Sequence, residues 1–208
     1  YHLQKDIQLE PKNYLILNNS GNVFIDLNEY QKAIELINSA LSIRSDFAEG
    51  YNTLGLALYK SGDTDGSVIN FQKAIELKNN FFSAHNNLGI SYKKINEIES
   101  AFESFAKAIK INPSSIEPLH NLASIINDIH FKTNRPDFYE IMIMILETNN
   151  CINPNEINKS IIRLLKLDPL FKNFLNDYFT IENKTSLQNL ILNFENYPLF
   201  LKIDKCIF

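Results

Sequence analysis

Long apolar runs are missing from this sequence of 208 residues. Its longest, such as IMIMIL at 141–146, fall far short of the ~20 residues that cross a bilayer as a helix, so no membrane partner is expected. Cysteine is nearly absent. Cys151 and Cys206 lie far apart and make neither a metal motif nor a disulfide framework. Basic charge is also short: 20 Lys and Arg stand against 24 Asp and Glu, for a formal charge of -4. Such a balance offers no broad basic surface to a phosphate backbone and argues against a nucleic-acid partner. No signal-peptide pattern opens the chain, and a cytoplasmic location is the expectation.

What is present is ordinary for a folded protein, 45% hydrophobic and 21% charged, with enough length to bury a continuous core. Asparagine is frequent, alongside isoleucine, lysine and phenylalanine. All four are spelled by AT-rich codons. The asparagines are scattered through periodic segments, which points to genome bias rather than a low-complexity tract.

The dominant feature is self-similarity. Leu88, Gly89, Tyr92, Ala101, Phe105, Ala108 and Pro113 align with Leu54, Gly55, Leu58, Ser67, Phe71, Ala74 and Asn79 after a shift of 34 residues. A second shift reaches Ser20, Gly21, Phe24, Ala33, Ile37, Ala40 and Ser45. Units therefore tile residues 14–47, 48–81 and 82–115, behind a half-unit at 1–13 that ends near Pro11. A fixed period of this length is the mark of a repeat architecture.

Each unit reads as a pair of helices. His85, Leu88 and Tyr92 recur at helical spacing on one face, and Ala101, Phe105 and Ala108 do so on a second. Gly21, Gly55 and Gly89 stand beside the first stripe, where a missing side chain lets the paired helices approach. Asn28, Gly62 and Asn96 share the column between the helices, and these residue types tolerate the left-handed backbone of a tight turn. The order aromatic, Leu-Gly, Tyr, Ala, Phe, Ala, Pro within 34 residues resembles the tetratricopeptide repeat. It departs where Leu17, Tyr51 and His85 fill the first aromatic slot and where Ser20 replaces leucine. The resemblance implies an all-α fold, a right-handed α-solenoid whose first helices line a concave groove.

Beyond residue 115 the register fades. Leu119, Leu122, Ala123 and Ile126 fit another first helix, but Arg135-Pro136 interrupts its partner, so 116–147 reads as a degenerate repeat. Residues 148–208 read as a small helical cap or linker, with helix starts at Asn153-Pro154, Asp168-Pro169 and Thr185. This stretch is similar to the helical segment after the repeats of some bacterial methyltransferases. The similarity implies an alternative in which the chain is the substrate-positioning arm of an S-adenosylmethionine-dependent enzyme with its catalytic domain past residue 208. The half-unit at the start and the apolar run Lys205-Cys206-Ile207-Phe208 at the end suggest a longer array, able to self-associate through open ends.

For function the groove matters most. The fifth position of successive units carries Asn18, Asn52, Asn86 and His120, and the sixth carries Asn19, Thr53, Asn87 and Asn121. A carboxamide both donates and accepts, so a column of them at repeat spacing can hold the backbone of an extended peptide. The column resembles the asparagine ladder of O-linked N-acetylglucosamine transferase, with Thr53 as its break. A carboxylate clamp, which would need cations at the second, fifth and sixth positions, is not expected, because the second position holds Leu15, Glu49, Ser83 and Glu117. Lys60 and Lys94, near Asp26 and Asp128 in register, could pair with a ligand carboxylate, but such a set is more often a solvated helix face. No carboxylate or second histidine stands at metal spacing from His85, His120 or His130. Neither a catalytic residue nor a cofactor is assigned, and the expected role is a protein-interaction module for a peptide or partner domain.

Overall fold

The computed structural model describes residues 12–125, 128, 129 and 141. Six helices of the first compact unit, which runs from Tyr1 to Pro113, are α1 Tyr14–Asp26, α2 Tyr30–Ile43, α3 Ala48–Ser61, α4 Thr64–Leu77, α5 Phe82–Lys94 and α6 Ile98–Ile111. The second unit, Ser114–Phe208, contributes α7, Ile116–Ala123. Among the described residues there is no strand. Residues 1–11 of the expected half-unit at 1–13, most of 124–147, the cap at 148–208 and the apolar run at 205–208 lie outside them.

Local chemistry sets the helix ends. Asn13 caps α1, its Oδ1 accepting from the amides of Leu15 at 3.1 Å and Ile16 at 3.3 Å. Asp63 caps α4 by accepting from the Gly66 amide at 2.9 Å, which satisfies one of the donors a helix start leaves free. The turns inside each pair pass through a left-handed residue: Asn28 at φ 60°, Gly62 at φ 100° and Asn96 at φ 64°. These are the three residues of the shared turn column.

Within the first unit, α1 packs on α2, α3 on α4 and α5 on α6, and each pair packs on the next. Gly21, Gly55 and Gly89 sit at the pair interfaces. A Cβ on Gly55 would meet the Phe71 ring at 2.7 Å, and one on Gly89 the Phe105 ring at 2.5 Å. Phe71 and Phe105 are in turn buried, together with Ala33, Ile37, Ala40, Ala74, Ala101 and Ala108. Small residues thus occur where backbones close, and the aromatic rings fill the space between. Neighbouring first helices also touch, α1 with α3 and α3 with α5, whereas successive second helices approach less. The first helices therefore take the inner side of the curve in this unit.

Candidate functional site

Burial divides the eight residues of the amide column. Asn18, Thr53 and Asn86 are 5%, 5% and 3% exposed. Asn52, Asn87 and Asn121 are half-buried, and Asn19 and His120 are exposed. The ladder is therefore not a row of open amides, since three of its eight residues are buried.

One rung joins two repeats. Asn87 Nδ2 donates to Asn52 Oδ1 at 3.1 Å, so the sixth position of one unit holds the fifth position of the unit before it. The same rung is missing one repeat earlier. There the sixth position is Thr53, whose hydroxyl turns back to donate to its own helix at the Glu49 carbonyl, 2.9 Å away. Asn18 Oδ1 is left buried with no hydrogen-bond partner. His120 and Asn121 belong to α7 in the second unit.

Asn18 lines a cleft of about 520 Å³ at the junction of the first two repeats. Its walls come from the start of α1, the turn between α2 and α3, and the end of α4. Leu15 and Leu77 supply exposed apolar surface, 47% and 39%. Arg44 donates through Nε to Asp46 at 2.9 Å and stacks over the Tyr14 ring, while Lys78 donates to Glu49 at 2.8 Å. The hydrogen bond with Asp46 raises the Arg44 pKa and lowers that of Asp46. The Glu49 carboxyl is likewise lowered, chiefly by the hydrogen bond from Lys78. Two cations and two anions cancel, so the cleft is electrically balanced. Arg44 and Lys78 occupy one column, a repeat apart. That coincidence was legible in the sequence, but only the fold shows that the column meets Asn18.

A second cleft, of about 660 Å³, opens between α4, α5 and α6 beside His85, Tyr92 and Lys107. His85 is only 8% exposed, and its Nε2–H donates to the Asn79 carbonyl at 2.8 Å. Its pKa is lowered, first by burial. The imidazole fills a packing slot, as its register implies. Lys94 lies over the Tyr59 ring at 4.4 Å. No group of three or more His, Cys, Asp or Glu residues stands at metal-binding distance among the described residues.

A TPR repeat model matches residues 21–62 and 55–96, and a tetratricopeptide repeat model matches residues 82–115. Residues 21–115 are tetratricopeptide repeats. The BBSome complex member BBS4 homolog of Drosophila melanogaster is 33% identical over 72 residues, which cover 35% of this chain and 15% of that protein. Among solved structures, MamA superposes with a TM-score of 0.56 at 20% identity over 77% of this chain and 84% of its own. The first TPR of Spaghetti (RPAP3), bound to the HSP90 peptide SRMEEVD, gives 0.53 at 16% identity over 54% and 90%. At these identities the likeness to the solved structures is one of fold. None of the three named proteins is a methyltransferase, and the segment that suggested an enzyme arm lies outside the described residues.

Proposed function

We propose that this chain is a protein-interaction module that holds an extended peptide, or an extended segment of a partner domain, along the first helices of its tetratricopeptide repeats. The observation that carries this reading is the amide column on the inner helices, with its Asn52–Asn87 rung. Carboxamides there offer donors and acceptors at the spacing of the repeats without demanding a particular side chain. That the first TPR of Spaghetti (RPAP3), which shares this fold, is bound to an HSP90 peptide supports a peptide as the ligand. An acidic peptide tail is not the favoured ligand here, since Leu15, Glu49 and Ser83 stand where a carboxylate clamp needs cations. No residue is given a catalytic role.

The test uses an extended peptide selected from a display library against the intact chain. Replacing Asn52 and Asn87 together with alanine weakens its binding, measured by calorimetry, by about 1–3 kcal/mol as hydrogen bonds to the ligand are lost. Helicity by circular dichroism stays unchanged. Gly89→Leu serves as the folding control, because any side chain there drives into Phe105 and overpacking costs about 1–3 kcal/mol or more. Unchanged affinity in the double variant would move the binding face to the Lys60 and Lys94 edge.

A further inference from the structure

We infer that the cleft between the first and second repeats is a subsite for an uncharged carboxamide side chain, that of a glutamine or asparagine in the bound segment. The inference rests on the peptide-binding reading above and adds a side-chain preference to it. Its origin is the break in the amide column. Where the sixth position is Asn87, the preceding fifth-position oxygen is satisfied within the protein. Where it is Thr53, the hydroxyl is spent on the Glu49 carbonyl and Asn18 Oδ1 is left buried and unpartnered. A buried acceptor without a donor is costly. Asn18 is 5% exposed and forms part of the cleft wall.

A donor from outside can therefore replace the missing rung. Its chemistry is narrowed by the rest of the wall. The two ion pairs, Arg44 with Asp46 and Lys78 with Glu49, leave no net charge for an ionic ligand to neutralise. An added ammonium would sit beside two cations, and an added carboxylate beside two anions. A carboxamide brings the N–H that Asn18 lacks and an oxygen that the exposed Asn19 amide or Lys78 can meet. Its methylenes lie against Leu15 and Leu77, both partly exposed on the rim.

The experiment needs no native partner. The 15N-labelled chain is titrated with glutamine blocked as its N-acetyl, N-methylamide derivative, and in parallel with identically blocked glycine, glutamate, lysine and methionine. Blocked glutamine is expected to shift the backbone amide signals of the cleft residues Leu15, Asn19 and Glu49, which both variants below retain, in a concentration-dependent way, with little response to the other four. Two variants then remove the site by opposite routes. Asn18→Leu deletes the acceptor, and Thr53→Asn supplies the internal donor in the manner of Asn87. Both abolish the response and retain helical circular dichroism, and Thr53→Asn also raises the Tm. No shift with glutamine, an equal shift with any other probe, or a response that survives both variants overturns the subsite. An equal response to blocked glycine would assign the cleft to backbone amides and leave the groove reading standing. Conversely, a positive probe with unchanged peptide affinity in the Asn52 and Asn87 variant would remove only the groove reading.

Discussion

At the scale of single residues, this chain shows how one slot can serve packing in every repeat yet differ in its chemistry. Leu17, Tyr51 and His85 share a column, but only His85 titrates near neutral pH. Desolvation is the largest cause of its lowered pKa; its bond to the Asn79 carbonyl works against that shift, and nearby Lys107 adds to it. The sign of the pH effect follows. In the unfolded chain His85 takes up a proton near its ordinary value of 6.5, whereas the folded chain resists until lower pH. Between those two points the unfolded state binds more protons, so stability falls as pH falls. Thermal unfolding of the wild type is expected to shift to lower temperature as pH drops below 6.5. His85→Tyr, which places in this slot the residue type that Tyr51 supplies one repeat earlier, should flatten that slope. A parallel slope in both proteins would show that another group carries it. The lowered carboxyls of Asp46 and Glu49 act in a separate window, since their contribution is lost only as pH falls through the carboxylate range.

At the scale of helices, the interfaces are made mainly of alanine, glycine and aromatic rings, but a fully buried polar pair also joins α4 and α5. Ser67 on α4 donates to the Thr64 carbonyl at 2.7 Å, and its hydroxyl lies 2.9 Å from that of Ser91 on α5. Because the Ser67 hydrogen is already committed to Thr64, Ser91 is the donor between the helices. Both residues are fully buried. Ser67→Ala is expected to destabilise the chain by about 1–3 kcal/mol, because it strands the Ser91 hydroxyl. The double alanine variant should cost less than the sum of the two single changes, since an apolar pair leaves nothing unsatisfied. Urea unfolding of all four proteins gives the coupling energy, and strict additivity would show that the two hydroxyls do not depend on each other. The surface ion pairs belong to another class. Lys73–Glu76 and Lys32–Glu29 are exposed, and solvent screening leaves such pairs little weight in stability.

At the scale of the whole molecule, a ligand held by amides rather than charges should bind with little dependence on salt. Ions screen charge pairs over a Debye length of about 10 Å at 0.1 M, but they leave neutral hydrogen bonds nearly untouched. Calorimetry with the library-selected peptide at low and high ionic strength should give similar affinities. A steep fall with salt would mean that Lys60, Lys94 or the Arg44 and Lys78 column grips the ligand as free cations.

The repeat frame was determined locally and is legible in the sequence. Leu54-Gly55 and Leu88-Gly89 mark first helices, Phe71 and Phe105 mark second ones, and Asn28, Gly62 and Asn96 mark the turns. A glycine, an aromatic or an αL-tolerant residue at a fixed offset performs the same steric task in each unit, so periodicity exposes it. The amide column was visible for the same reason. What happens to each amide was not. Whether Asn52 meets Asn87, and whether Thr53 turns inward and leaves Asn18 Oδ1 alone, depends on the distance and angle between helices of successive repeats. The Asn52–Asn87 bond joins successive repeats through space while Thr53 bonds within its own helix, and only the tertiary packing decides which polar atoms find partners.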